Sequence, residues 1–360
     1  MRILLSGGGT MGSVYPLLAI RDGLIEQKMC SEFLWVGTND GVERELLAKE
    51  PMPYRGIKAG KWRRYFSWRN LFDWVNVVFG FFQALLIIIK FKPDLILTAG
   101  SFISVPVVLA GWVLRKKIIV HQQDLRVGFA NRLMSPFACK ITVAFDFSLK
   151  FFSAKKAVLI GNPARGQVIS GNKERAIQFF NLEKDLPTLL VMGGSQGAEE
   201  INNLLFETIP QLILFCQIIH VTGRGNIVEW GNKKDYGEAA ARYHPREYLE
   251  KELFDAYASA DLVVCRAGIS TLTELSAAGV ASIVIPIPGS QQEDNADYFN
   301  AKNAIILLDQ RKLNALEFVS MVKRLFDESD SRKRLSDNMR AVMPGNAVER
   351  YVELIRCLVV

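Results

Sequence analysis

Short apolar runs alternate along this chain with longer stretches in which apolar residues recur every three or four positions. The first pattern marks buried strands and the second amphipathic helices. In the first half, strands are predicted over 3–5, 32–36, 95–98, 117–121 and 140–144, with helices near 15–27, 105–114 and 128–134. In the second half, strands are predicted over 189–192, 217–221, 262–265 and 282–285, with helices near 198–212, 253–258, 272–279, 292–302 and 315–326. Alternation of this kind predicts an α/β protein with parallel sheets covered by helices on both faces. Val158-Leu159-Ile160-Gly161-Asn162-Pro163 reads as the crossing between the halves. The expected division is 1–160, 161–340 and 341–360, the last being a helix near 346–358 that returns to the N-terminal half.

Residues 71–89 are largely apolar and are followed by Lys90 and Lys92. Asp73, Asn76 and Gln83 within them are costly in hydrocarbon. The stretch is therefore predicted to be a helix–turn–helix pass at the domain surface, partly inserted in a lipid interface, rather than a membrane span.

With 360 residues, 49% of them hydrophobic, the chain is long enough for two α/β domains with separate cores, and a disordered chain is excluded. The net charge of +7 is modest for this length and no groove-reading motif accompanies it, so no nucleic-acid partner is expected. A basic excess beside apolar residues suits an anionic membrane surface better. The five cysteines are dispersed and lack CxxC spacing, as in a reduced cytoplasmic protein, and the three histidines form no metal-ligand pattern. No metal or cofactor is expected. The N-terminus runs straight into a strand, which reads as having no signal peptide.

Two glycine-rich turns each link an apolar strand to a helix: Gly7-Gly8-Gly9-Thr10-Met11-Gly12-Ser13 and Gly193-Gly194-Ser195-Gln196-Gly197-Ala198. Glycine lets the backbone approach a ligand, and a helix N-terminus offers unpaired N–H groups to an anion. Gly7, Gly9 and Gly12 satisfy G-x-G-x-x-G, but the acid expected after the second strand is missing, Asp40 lying too far on. A ligand other than NAD is the better reading, and a tight turn without ligand is the plain one. In the second turn Ser195 either adds a hydroxyl to a diphosphate site or merely caps the next helix. Thr271 and Glu274 form T-x-x-E, which reads as a capping box or as a carboxylate facing a ribose diol. Gln291, Gln292 and Asn295 suit a ligand with many hydroxyls, or a solvated helix start. His121-Gln122-Gln123-Asp124 sits at another strand end, where a lone histidine is more often structural than catalytic.

Together and in this order these motifs resemble the MurG family of GT-B glycosyltransferases. The resemblance covers nearly the whole chain. It is carried by the second glycine turn, Gly161-Asn162-Pro163-x-Arg165, Arg266-Ala267-Gly268 through Glu274 to Gly279, and Gln291-Gln292-x-x-Asn295-Ala296, with support from Asn131-Arg132-Leu133 and Gly100-x-Phe102-x-Ser104-x-Pro106. It implies two Rossmann-like domains facing a cleft. It further implies inverting transfer of N-acetylglucosamine from UDP-GlcNAc to the C4 hydroxyl of a lipid-linked muramoyl-pentapeptide acceptor, at the cytoplasmic face of the bacterial plasma membrane. Glu274 would hold the ribose; Ser195, Gln196 and Arg165 would lie at the diphosphate; Gln291, Gln292 and Asn295 would read the sugar. Thr10 would approach the diphosphate and acceptor, and Gly12, Asp124 and Ile269 also fall among the implied substrate-binding positions. The family reaches its lipid acceptor with an apolar patch ringed by basic residues, for which 62–64 and 71–92 are available.

The departures lie in the acceptor-side half. Ser13 replaces a histidine in the first turn, Gln122-Gln123-Asp124 stands where the family reads E-Q-N, and Thr98 and Ser101 stand where glycines are usual. Serine is too poor a base to replace histidine, so the expected base is Asp124, with His121 as the second candidate and Ser13 as the replaced position. Rival readings are a UDP-GlcNAc 2-epimerase, a catalytically weak UDP-sugar-binding protein at the membrane, and, remotely, a dehydrogenase.

Overall fold

The structure is a computed structural model that describes residues 1–9, 11–30, 32–58, 69–193, 197–226 and 233–359. The chain divides into two compact units, Met1–Arg165 with Asn346–Val360, and Gly166–Gly345. The first boundary falls five residues beyond the expected 160, and the second likewise beyond 340.

The first unit runs β1 (Arg2–Ser6), α1 (Tyr15–Glu26), β2 (Glu32–Thr38), α2 (Val42–Leu47), β3 (Tyr54–Ile57), α3 (Arg69–Phe91), β4 (Leu95–Thr98), α4 (Ser104–Val113), β5 (Lys117–Gln122), α5 (Phe129–Met134), β6 (Lys140–Val143) and β7 (Ala157–Leu159). The second runs α6 (Lys173–Phe180), β8 (Thr188–Met192), α7 (Glu199–Leu212), β9 (Gln217–Val221), β10 (Tyr243–Arg246), α8 (Glu252–Ser259), β11 (Leu262–Cys265), α9 (Ile269–Ala278), β12 (Ser282–Val284), α10 (Gln291–Ala301), β13 (Ile306–Leu307), α11 (Ala315–Asp327) and α12 (Ser329–Val342). The last helix, α13 (Ala347–Val359), belongs to the first unit.

Both sheets are wholly parallel, in the orders β3-β2-β1-β4-β5-β6-β7 and β10-β9-β8-β11-β12-β13. The central strands are buried on both faces, which is why they are continuous apolar runs: Ile3, Leu4 and Leu5 are fully enclosed, as are Leu189, Leu190, Val263 and Val264. In each sheet the chain reverses its direction of winding beside the first strand, between β1 and β4 and between β8 and β11. Crevices for ligands form at the carboxyl ends of strands at such points. The first glycine turn follows β1 and the second follows β8, so the sheet order puts each at its unit's crevice.

The terminal helix buries Ala347, Tyr351, Val352 and Ile355, which share one helical face, in the core formed by Ile3, Leu5, Leu17 and Leu24. Its approach to α1 is close enough to require a glycine: a Cβ on Gly23 would collide with Val348.

The helix–turn–helix expected over 71–89 is corrected. α3 is one uninterrupted helix, Arg69–Phe91. The polar residues that suggested a break do not supply a helix terminator; neither proline nor a glycine pair interrupts the run. Gln83 is used differently, its Oε1 accepting the Lys58 N–H at 2.8 Å. Val77, Ala84 and Ile88 pack inward, whereas Val78, Phe79, Phe82, Leu86 and Ile89 form an outer stripe, each about half exposed. Among the described residues, no helix is long and apolar enough to cross a membrane.

Candidate functional site

The first glycine turn is braced from within. Trp35 donates its indole N–H to the Gly7 carbonyl at 3.1 Å. Ser13, 3% exposed, takes the Gly8 N–H on its hydroxyl oxygen at 3.0 Å and donates back to the Gly8 carbonyl at 3.3 Å. Ser13, the position at which the family histidine is replaced, thus closes the loop with its hydroxyl. Gly12 lies in the single 3-10 turn, Met11–Ser13, that leads into α1. Beside it, after β4, Gly100 has φ +95° and Ser101 φ +78°. The glycine usual at 101 is gone but the left-handed conformation it served remains, at a cost of about 1–2 kcal/mol.

His121, at the end of β5, is fully buried. Its Nδ1 lies 2.9 Å from the Thr142 hydroxyl and its Nε2 lies 2.8 Å from Asn162 Oδ1. Thr142 in turn lies 3.0 Å from the Tyr351 hydroxyl. One proton order satisfies all of these: Tyr351 donates to Thr142, Thr142 to Nδ1, and Nε2–H to Asn162. Burial pushes the imidazole down to about 4, so it is neutral at pH 7. His121 is held here as a buried link between three elements. Both nitrogens are occupied and no face is open to a sugar. It ties the terminal helix to the Gly161-Asn162-Pro163 segment. Arg165, just beyond, lays its guanidinium over the Tyr15 ring at 4.2 Å, at the start of α1.

Asp124 is half-buried in the loop after β5. Gln122, noted in the sequence as a departure from the family pattern, organises that loop: its Nε2 donates to the carbonyls of Asp124 at 2.7 Å and Arg126 at 3.0 Å, and its Oε1 accepts from Asn131 Nδ2 at 2.6 Å. A carboxylate at 122 has no N–H to make the first two bonds.

In the second unit the turns after β8 and β9 are pressed together. Gly197 has φ +78°, and a Cβ on it would strike the Thr222 carbonyl. Below them, His220 Nδ1 lies 2.8 Å from the Tyr243 hydroxyl and its Nε2 lies 3.0 Å from Asn202 Oδ1, while Asn202 Nδ2 donates to the Thr222 carbonyl at 2.9 Å. This fixes the first turn of α7 against β9. The helix begins at Glu199 with Ala198 in the cap position and no side-chain cap. Thr10, Ser195 and Gln196 lie outside the described residues, as do 62–64.

The capping-box reading of Thr271 and Glu274 is corrected. α9 starts at Ile269 with Gly268 as its cap, so Thr271 is third in the helix and Glu274 sixth, past the reach of a box. Ile269 supplies one of the first-turn N–H groups that have no partner inside the helix. Glu274 is 5% exposed, and its Oε2 accepts a 3.1 Å hydrogen bond from Tyr257, itself buried in α8. Arg266 joins the surrounding loops, donating to the carbonyls of Ile285 at 3.1 Å and Pro286 at 3.4 Å and pairing with Glu200 at 3.4 Å. At the start of α10, Ser290 caps the helix through the Gln292 N–H, and Gln292 Oε1 accepts from the Ile287 N–H at 3.2 Å. Gln291 is exposed, whereas Asn295 is 1% exposed and donates to the Ala267 carbonyl at 3.4 Å, bracing α10 against the turn after β11. Among the described residues, no group of histidine, cysteine and acidic side chains is placed to hold a metal ion.

Three neutral, buried histidines make stability pH-dependent. Burial holds His121, His220 and His244 at about 4, against 6.5 for the free ring. The unfolded chain therefore takes up protons that the fold refuses as pH drops from 6.5 to about 4, and stability falls across that window by on the order of 1 kcal/mol per pH unit for each ring. The thermal midpoint is expected to fall steadily between pH 7 and 4.5, and less steeply in His220→Gln. Equal slopes in the two proteins would show that His220 is not part of this linkage.

Comparison with known proteins agrees with this architecture. The glycosyltransferase family 28 N-terminal domain matches residues 3–143 and the family 28 C-terminal domain residues 188–350. A UDP-N-acetylglucosamine–N-acetylmuramyl-(pentapeptide) pyrophosphoryl-undecaprenol N-acetylglucosamine transferase of Clostridium perfringens is 33% identical over 359 residues, spanning 99% of this chain and 98% of its own. One of the same description from Lachnoclostridium phytofermentans is 34% identical over 358 residues, spanning 98% of each. Among solved structures, Acinetobacter baumannii MurG superposes with a TM-score of 0.76 at 24% identity over 99% of both chains. A Neisseria meningitidis UDP-GlcNAc 2-epimerase bound to UDP-GlcNAc reaches 0.69 at 13% identity over 99% of both, a likeness of fold alone. The two doubly wound units are those of a GT-B fold, and the chain belongs to the MurG family of glycosyltransferases.

Proposed function

We propose that this protein transfers N-acetylglucosamine from UDP-GlcNAc to the C4 hydroxyl of undecaprenyl-diphospho-muramoyl-pentapeptide, with inversion, in peptidoglycan synthesis. The observation that carries the reading is full-length kinship with transferases of that description, joined to a buried carboxylate, Glu274, at the crevice end of the second sheet. Glu274 takes the ribose diol. The turn containing Ser195 and Gln196, the α7 N-terminus and Arg165 stabilise charge building on the departing UDP. Ile269 adds a backbone N–H. Gln291, Gln292 and Asn295 take the sugar hydroxyls, the last from the wall of the turn it braces. Thr10 and Gly12 face the acceptor, and Asp124 removes its proton.

The acceptor is membrane-borne, and the outer stripe of α3 is the surface suited to reach it. Lys58 lies 5.5 Å from the Phe79 ring, and Lys90 follows at the helix end, a basic rim that favours an anionic leaflet and a peripheral position on its cytoplasmic side. Transfer of labelled sugar from UDP-GlcNAc to a lipid I analogue tests the reaction; an epimerised sugar nucleotide formed without acceptor would replace it with the epimerase reading. For the surface, Phe79→Ser/Phe82→Ser should lower partition onto anionic vesicles by ~10-fold. Unchanged partition would remove α3 from the membrane contact.

Tyr257 donates to Glu274 from behind and so sets the carboxylate's angle. Tyr257→Phe should raise the KM for UDP-GlcNAc by ~5-fold with kcat nearly kept, the expected result of losing a hydrogen bond to a charged group outside the reacting centre. A kcat loss without a KM change would contradict this.

A further inference from the structure

We propose that Glu43 is the positioning residue of the first glycine turn, and that its carboxylate reserves this turn for an uncharged, hydroxyl-bearing sugar by occupying the donors that would otherwise hold a phosphate. The inference deepens the transferase reading and rests on it.

Glu43 lies in the first turn of α2 and is 0% exposed. Its Oε2 accepts the Gly9 N–H at 3.0 Å. Its Oε1 accepts both the backbone N–H of Thr38 at 2.9 Å and the Thr38 hydroxyl at 2.6 Å. Among the described residues, no lysine or arginine forms an ion pair with it. The carboxylate lies against the turn itself: a Cβ on Gly8 would run into it, which explains why residue 8 lacks a side chain. The neighbouring Gly8 N–H is taken by Ser13.

In a G-x-G-x-x-G turn that binds a dinucleotide, such N–H groups converge on the pyrophosphate. Here Gly8 and Gly9 are satisfied from inside the protein, and one of the two acceptors is an acid. A phosphate brought to the same turn would find those donors engaged and a like charge directly behind them. A neutral sugar meets no such repulsion. The motif keeps its close backbone approach and loses the Gly8 and Gly9 N–H groups as donors to an anion. The acceptor's diphosphate must then be received away from Gly8 and Gly9.

Glu43→Gln in the full chain tests this. At saturating UDP-GlcNAc, kcat/KM for a lipid I analogue should fall by ~10-fold, with UDP affinity by calorimetry unchanged. Inorganic pyrophosphate should compete with the acceptor at least 10-fold more strongly in the variant than in the wild type. A loop that was merely loosened would lose turnover without gaining that competition. Thr38→Val, which removes one donor and leaves the charge, should lower acceptor kcat/KM without the gain in pyrophosphate competition. It decides the matter if Glu43→Gln loses UDP binding. Unchanged acceptor kinetics in both variants, or pyrophosphate competing with the acceptor equally in wild type and Glu43→Gln, overturns the proposal. Absence of transfer by the wild type overturns the transferase reading, and this proposal with it.

Discussion

Glu274→Ala is expected to lose UDP and UDP-GlcNAc affinity by ~10²-fold or more, and sugar transfer with it. A ribose diol presents two hydroxyl donors, and each hydrogen bond to an ionised carboxylate contributes about 1.5–3 kcal/mol. Losing the pair therefore costs at least two orders of magnitude in affinity. The truncation has a second effect, because Tyr257 is 1% exposed and its hydroxyl loses an acceptor. Losing this hydrogen bond to a carboxylate costs about 1–3 kcal/mol of stability, although the hydroxyl keeps a contact to Met192 Sδ at 3.7 Å, so a thermal midpoint must accompany the calorimetry. Glu274→Gln separates the two effects. Its amide oxygen still accepts from Tyr257, so the fold keeps its bond, while the charge facing the ribose is gone. Near-normal stability with ~10-fold weaker UDP binding is expected there, with discrimination against the 2′-deoxy nucleotide reduced. UDP binding at wild-type strength in both variants would place the ribose elsewhere and remove the donor-site assignment.

The sheets were legible because their central strands are enclosed on both faces, so that Ile3-Leu4-Leu5 and Leu189-Leu190-Val191 stand out as unbroken apolar runs. The outer strands were not. β3 is Tyr-Arg-Gly-Ile and β10 is Tyr-His-Pro-Arg, sequences without an apolar run, whose strand conformation comes from pairing with β2 and β9. α12 was missed because it shows little apolar periodicity, burying only Leu335 and Met339. The glycine turns and the motifs at strand ends were readable, since local geometry demands those residues in order. What the strand-end motifs do was less so. Thr271 and Glu274 have capping-box spacing, yet the helix begins earlier than that spacing implies. His121 was open to a catalytic reading until Thr142, Asn162 and Tyr351, distant in sequence, closed around it. Glu43 carried no motif at all. Its part arises from bonds to Gly9 and Thr38 that only the packing of α2 under the first turn creates.

Asp124→Asn is the second substitution expected to have a large effect, cutting turnover by ~10²-fold or more. Ser13, His121 and Asp124 sit in different surroundings. Ser13 is closed into the Gly8 turn, and His121 is a buried neutral link. Asp124 is half-exposed, with its backbone carbonyl held by Gln122 so that the loop presents it in a fixed place. The resemblance places a family carboxylate at 122, where this chain has an amide whose Nε2 holds the backbone carbonyls of Asp124 and Arg126. Asparagine preserves size and hydrogen-bonding capacity but cannot accept a proton, so kcat should fall while UDP affinity stays as it was. The acidic limb of the kcat/KM profile against pH should disappear with the carboxylate. Ser13→His should not restore turnover in that variant, because residue 13 points into the turn. If Asp124→Asn keeps wild-type turnover, or loses turnover while its acidic limb persists, the proton is taken by a group other than Asp124.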